Sequence, residues 1–400
     1  MKRSLMSAMS FLFVIWGTLL LNQSFAADNE SLKKGSVCFG NDPAHTGIYD
    51  SAPVDTAAKI LWKFQTQSAM SGSPVIYDGR IYFGSGETLY AVDREGKEVF
   101  RFKADGDIDC TPAVSASGVV FQTGEGMLYS LNIKTGSLNW SRHLFAPTYL
   151  KLYDFWDYYL SSPVIAGNAV YVGASDGYLY AVRADNGEEL WKFKSGNIIR
   201  STPSFSSGKI YFGGFDGVFY ALNADNGGVI WKYQMKEKNY SRRGEIQGSA
   251  AVIDGTVYFG SRNANMYALD ASTGTEKWIY KHDNGSWMIA SPAVYKNIVL
   301  AGSSDAHFFN AVDKNTGKEI WRFLTQKNVF SSAGVAGNVV YFGEGNAYSF
   351  FEESVFHALD ISTGKETWNL KFPAQVWSSP AIADGVIYIT CMDGCLYAVK

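Results

Sequence analysis

Residues 174–195 read ASDGYLYAVRADNGEELWKFKS. The phrase returns as GFDGVFYALNADNGGVIWKYQ from Gly214 and as NANMYALDASTGTEKWIYK from Asn263. Each copy runs from an Asp-Gly-like turn through an apolar strand to an Asn-Gly or Thr-Gly turn, and then to a strand holding a tryptophan. A unit this short cannot bury its apolar face alone, so copies must stack. Working outward from Trp191, the same position is filled by Trp62, Phe100, Trp140, Trp231, Trp278, Trp321 and Trp368, with phenylalanine the single substitution. A second anchor, Ser or Thr usually followed by Pro, falls at Ser73, Thr111, Ser162, Thr202, Ser249, Ser291, Ser332 and Ser379.

Between anchors each unit spells four strands: an apolar strand, a VYFG-like strand, an LYAL-like strand and the tryptophan strand. Aromatic and β-branched residues separated by glycine turns favour antiparallel hairpins, and no sustained 3.6-residue period competes with them. Repeats of about 40 to 45 residues with four strands each are the pattern of a propeller. The fold class is therefore all-β, an eight-bladed propeller of four-stranded antiparallel blades. The last unit stops at Leu396-Tyr397-Ala398-Val399-Lys400, without a tryptophan strand, while a tryptophan strand around Trp62 precedes the first complete unit. The N-terminal strand is expected to complete the eighth blade.

The chain begins with Lys2 and Arg3, an apolar run over residues 11–21 and the small-x-small triplet Ser24-Phe25-Ala26. This is the form of a secretory signal, residues 1–26. Its 11-residue apolar run is shorter than the roughly 20 residues needed to span a bilayer. Residues 27–59 form an arm, and residues 60–400 the propeller. Without the leader the chain holds 33 basic and 38 acidic residues, a formal charge of −5, which argues against nucleic acid as a partner. The five histidines are scattered without metal-ligand spacing, so no metal is expected. Export would allow disulfides; Cys391 and Cys395 flank a Met-Asp-Gly tip and could form a cross-strand bridge or remain two packed thiols.

The arm carries Gly40-Asn41-Asp42-Pro43-Ala44-His45-Thr46-Gly47, and the A-x-D-x-x-TG-x-x-x-W pattern stands at residues 268–278 and 311–321. On these residues the chain resembles the PQQ-repeat propellers, over residues 36–400. That superfamily includes quinoprotein alcohol dehydrogenases and the BamB scaffold of outer-membrane β-barrel assembly. The resemblance implies either a scaffold or a dehydrogenase that binds PQQ with calcium or a lanthanide. No adjacent cysteine pair of the kind those enzymes often place against the quinone occurs here, nor does their additional length. No cysteine follows the cleavage triplet directly, so the lipoprotein anchor of the scaffold is missing as well.

Loop lengths separate two faces. The first and third turns keep a nearly constant length, whereas the tryptophan-to-anchor connection grows from 11 residues to 22 before Ser162, 18 before Ser249 and 13 before Ser291. The second turn of blade seven is also long. In a meander the second turn and the inter-blade loop emerge on one face, so all insertions decorate that face. The first insert, residues 145–159, carries seven aromatics, including Tyr153, Phe155, Trp156 and Tyr158. It can serve as a protein-contact platform or pack down as a cap. The second offers Arg242 and Arg243, and the third, residues 343–354, offers Glu352 and Glu353.

Two residues before each anchor stand Ser71, Asp109, Leu160, Arg200, Gln247, Ile289, Phe330 and Trp377. They follow no rule, whereas the positions one before are all small and those three before all apolar or aromatic. Alternation points the irregular set into the central channel. Asp109, Arg200, Gln247 and Trp377 are the candidate ligand contacts, able to meet an anion, a cation or a flat ring; the bland alternative is a solvated rim. No catalytic residue is assigned. The expected function is that of an exported, non-catalytic, monomeric scaffold that shows one face to a protein partner in the periplasm or cell envelope, without cofactor or membrane span. The alternative is a small PQQ-dependent alcohol or sugar dehydrogenase or a quinone or metabolite sensor.

Overall fold

Glycine-centred turns reverse the chain three times in each repeat, and the computed structural model places the resulting strands in eight antiparallel sheets. It describes residues 36–145, 160–236, 244–281, 286–346, 349 and 351–400. The signal segment, the start of the arm, Tyr153, Phe155, Trp156, Tyr158, Arg242 and Arg243 lie outside the described residues. Blade three shows the pattern: Val164–Ala166, Ala169–Gly173, Tyr178–Arg183 and Glu189–Lys194, paired in that order. The two middle strands are buried almost throughout, while the outer strand alternates exposed and covered positions. All eight blades carry a register shift at the same rung of the outer hairpin, between Ala181 and Val182 in blade three. An extra residue at that rung increases the local twist of the outer strand.

Closure follows the expectation. Ile60–Gln65 pairs antiparallel with Cys395–Val399, so the first strand of the propeller completes the eighth blade. Each tryptophan then locks its blade to the next. The Trp191 indole N–H donates to the Ala224 carbonyl at 2.9 Å, and Trp231, Trp278 and Trp321 do the same one blade further on. The turn glycine opposite each ring must be bare: a Cβ on Gly227 would lie 2.6 Å from Trp191, and its φ of +70° is one that L side chains rarely adopt. Trp368 meets no such turn, because the chain ends come together in blade eight. Its indole donates instead to the Val54 carbonyl of the arm at 2.7 Å.

The arm winds across the inner strands. Val37 pairs with Val114 of blade two, and the Pro43, Ala44, Thr46 and Gly47 carbonyls accept from Phe205, Val252, Val294 and Val335. Ile48–Tyr49 then adds a fifth, parallel strand to blade seven. These contacts lie three residues beyond the anchors, toward the constant face. The second turns and the inter-blade loops meet at the opposite face, where Ile199 N–H bonds to the Ala174 carbonyl and Val329 N–H to that of Ser303. The arm therefore covers the channel from the constant side, and the second turns and inter-blade loops stand at its other end.

Candidate functional site

The inner strands bring the eight Ser/Thr anchors together into a closed ring. The backbone N–H of Ser73 donates to Thr111 Oγ1, that of Thr111 to Ser162 Oγ, and so on through Ser379, whose N–H returns to Ser73 Oγ. The eight bonds span 2.8–3.1 Å. Each anchor thus satisfies a buried backbone donor of its neighbour, which explains why only hydroxyl residues occupy the position. Alanine at Ser249 leaves the Thr202 N–H without its acceptor and is expected to cost about 1–3 kcal/mol. Threonine there should be tolerated, and a denaturation midpoint unchanged by alanine would show that the ring adds no stability.

Above the ring lies a recess enclosing about 600 Å³ of atom-free space, counting the part open to solvent. All eight residues two before the anchors line it, together with the anchors and Phe39 of the arm as its floor. The strand alternation read from the sequence therefore places Asp109, Arg200, Gln247 and Trp377 in one cavity. The residues three before the anchors, such as Ile199, Ile246 and Val376, are buried in the core between blades.

Circuit order divides the wall. Ser71 and Asp109 come from adjacent blades, and the Ser71 hydroxyl donates to Asp109 Oδ1 at 3.0 Å. Burial pushes the Asp109 carboxyl above the usual range, against that hydrogen bond, and Asp107 adds to the rise. Arg200 is buried and donates to Ser175 Oγ at 2.6 Å. Ile289, Phe330 and Trp377, from blades six to eight, supply an apolar arc in which the last two rings meet edge-on at 5.6 Å. Among the described residues the recess is amphipathic, with one carboxyl and one guanidinium on its polar side.

Arg262 is the residue that the repeat pattern did not single out. It is fully buried, donates from Nε and Nη2 to Gln247 Oε1 at 3.0 and 2.7 Å, and lies between the Phe215 and Trp287 rings at 4.9 and 4.4 Å. Aromatic faces stabilise a desolvated guanidinium, so Arg262 holds the Gln247 amide in position. Its signal in the sequence was an arginine where the matching turns carry Ser175, Phe215 and Met392.

The other candidates are more dispersed. Glu352 and Glu353 are exposed on the third insert, away from the channel recess. All four cysteines are buried free thiols, so the structure holds Cys391 and Cys395 unbridged. Cys395 Sγ turns toward Gln65 Oε1 of the closing strand, 3.0 Å away. Among the described residues no group of three His, Cys, Asp or Glu side chains could hold a metal ion, and none of their helices is long and apolar enough to cross a membrane.

A family model described as outer membrane protein assembly factor BamB matches residues 53–217, 216–310 and 309–400. The chain belongs to that BamB family. Its similarity to individual members is partial: BamB of Yersinia pestis is 28% identical over 183 residues, 44% of this chain and 43% of that one. BamB of Nitrosomonas eutropha is 28% identical over 134 residues, 33% of this chain and 31% of that one. The matched stretches therefore span less than half the length of these curated relatives. The crystal structure of BamB from Moraxella catarrhalis superposes with a TM-score of 0.69 at 17% identity, over 86% of this chain and 100% of that one. A europium-containing methanol dehydrogenase gives 0.76 at 14% identity, over 93% and 100%. At such identities both show the fold alone.

Proposed function

We propose that the chain is an exported, non-catalytic propeller that presents its insert-bearing face to a protein partner in the cell envelope. One observation carries this: the long departures from the repeat fall on a single face, and Phe351 on the third insert is 77% exposed. An exposed aromatic ring beside the charged Glu352 and Glu353 offers such a face an anchor of the kind enriched at protein contacts. Family membership supports the same reading, since the relatives are named as assembly factors. The test is a photoreactive benzoylphenylalanine placed at Phe351, or at Thr363 on the constant face, in living cells. Phe351 is expected to yield a discrete adduct and Thr363 none; equal labelling, or none from either, counts against the proposal.

The amphipathic channel recess favours a second, narrower reading as a small-molecule sensor through Asp109, Arg200, Gln247 and Trp377. A quinone with calcium or a lanthanide fits the described residues poorly, because Asp109 is the only carboxylate among those lining the recess. Adding PQQ with calcium or a lanthanide to the purified chain should give neither stoichiometric binding nor dye-linked alcohol or sugar oxidation. Both together would overturn the non-catalytic reading.

A further inference from the structure

Blade seven breaks the repeat twice, at positions that touch. The second residue of the LYAL-like strand is tyrosine in six blades: Tyr90, Tyr129, Tyr180, Tyr220, Tyr267 and Tyr397. Tyr180, Tyr220 and Tyr397 spend their hydroxyls on the aspartate of the adjacent turn. Blade seven has His357 there. The residue that follows the VYFG-like strand is small elsewhere, as at Thr123, Ala174, Gly214 and Cys391, but in blade seven it is Glu344. Its third strand, Ser354–Asp360, and its outer strand, Glu366–Phe372, run to seven residues each, and the rung Ser354 to Phe372 carries this hairpin further toward the insert face.

The two substitutions make a pair of acceptors. His357 is stacked on Phe342 at 5.1 Å and meets Phe323 edge-on at 5.3 Å, so its ring is fixed. Its Nδ1 lies 2.7 Å from Glu366 Oε1, and Asn369 holds the other oxygen of that carboxylate at 3.0 Å. A carboxylate on Nδ1 selects the tautomer with the proton there, which leaves Nε2 as an acceptor. Nε2 is buried without a hydrogen-bond partner, 3.6 Å from Glu344 Oε2, a separation too long for a hydrogen bond. Glu344 is 2% exposed and accepts the Gln326 and Lys327 N–H groups at 3.0 and 3.3 Å. Burial works to raise its carboxyl, but His357, once its ring is protonated in acid, and these N–H groups outweigh it and hold it below the usual range. Two acceptors, one of them a carboxylate, therefore converge 3.6 Å apart.

Their surroundings decide what belongs there. Both residues line the inner wall of a groove of about 1170 Å³, solvent included, between the outer strands of blades six and seven and the third insert. At its rim Lys327 pairs with Glu352 at 3.6 Å and Lys371 with Glu353 at 2.7 Å, so those charges are balanced. Among the described residues no lysine or arginine forms an ion pair with the buried Glu344 or with Glu366 on the outer strand. Leu324 at 73% and Phe351 at 77% are the most exposed large apolar side chains among the described residues, and they belong to the two elements that bound the groove. A metal ion would need a third side-chain ligand, and no such group of three exists among the described residues.

We propose that this groove binds the arginine or lysine side chain of an extended, otherwise apolar segment of the protein partner, with its N–H groups donated to Glu344 and His357 Nε2. The inference rests on the protein-partner reading and names the chemistry of that contact. A cationic donor matches the unbalanced charge, supplies N–H groups to both acceptors, and brings apolar neighbours to Leu324 and Phe351.

The test uses the mature full-length chain with histidines labelled at Cε1 with ¹³C, five in all, followed by NMR. The probe is a blocked pentapeptide with arginine between two valines on either side; its citrulline counterpart has the same shape without the charge. The arginine peptide is expected to shift the His357 resonance saturably, and the citrulline peptide to bind at least ~10-fold more weakly. His357→Tyr and Glu344→Ser restore residue types that other blades fold with, so they keep the fold while Glu344→Ser loses at least ~10-fold in affinity. His357→Tyr, whose own reporter is gone, is read by fluorescence anisotropy of a dye-labelled probe. No saturable shift up to about 10 mM peptide, where a Kd of ~1 mM would be well exceeded, or equal binding of both peptides, overturns the proposal. Phe351 adducts that persist without peptide binding would remove this inference alone; peptide binding without adducts would remove the in-cell partner reading alone.

Discussion

Alanine at Trp278 is expected to lower the stability of the folded chain by about 3–5 kcal/mol, the range for deleting a buried large aromatic. The ring is 7% exposed and fills the space between blades five and six, where a Cβ on Gly317 would come within 2.7 Å of it. Its N–H satisfies the Lys314 carbonyl at 2.8 Å, and Tyr258 leans on it at 5.8 Å. Truncation removes that contact area, leaves a cavity and strips the carbonyl of its closer donor, leaving it only the Tyr258 hydroxyl at 3.5 Å. Blade one manages with Phe100 against Gly136, so Trp278→Phe should cost markedly less, about 1–2 kcal/mol. Urea denaturation of both variants is the measurement; an alanine variant within about 1 kcal/mol of the parent would refute the view that the indoles clamp blade to blade.

Acid should loosen the arm through His45. The imidazole is 1% exposed, faces Phe39 edge-on at 5.6 Å, and has Nδ1 3.1 Å from Ser204 Oγ, while Nε2 is buried without a partner. Burial lowers its pKa from 6.5 to about 3, partly opposed by the Ala250 carbonyl. The unfolded chain therefore takes up this proton first as pH falls. The contribution of His45 is intact above pH 6.5 and falls by about 1.4 kcal/mol per unit on the way down toward pH 3. Asp42 acts in the opposite sense. Its carboxyl is raised by burial despite hydrogen bonds from Thr46 and its neighbours, so it protonates earlier in the folded form and offsets part of the loss in the more acid range. Denaturation midpoints at falling pH should decline steeply for the parent and less steeply for His45→Gln. Parallel declines would show that other groups control the acid response.

Several features were legible because they are local. The Asp-Gly and Thr-Gly turns, the alternation within each strand and the recurrence of tryptophan are all contained in about 40 residues, and together they specify four strands per blade and eight blades. The missing final strand announced the closure. Period-two alternation even selected the residues that line the channel recess, because the anchor and the residue two before it share a strand face. Cys391 and Cys395 show the limit of local reasoning. Their spacing permits a bridge, yet Gln65, far off in sequence, lies beside Cys395 in the closed blade.

Arg262 and the pair Glu344 and His357 were visible only as exceptions to the repeat, without indication of what they meet. Phe342 faces His357 across a long second turn, and the 3.6 Å approach to Glu344 arises only once that register is set. The arm is a stronger case. Residues 36–47 show no strand alternation, and their partners run from Val114 to Val335.

By itself the sequence of this protein determined the all-β class, the blade count, the site of closure and the face that carries the inserts, because each is written in turns and alternation within one repeat. Only the tertiary structure decided that the arm floors the channel, that the anchors join in a hydrogen-bonded ring, and that blade seven pairs a histidine with a glutamate above a groove. Those contacts join residues whose nearness comes from closing the ring of blades, and closure leaves no periodic mark on the residues it brings together.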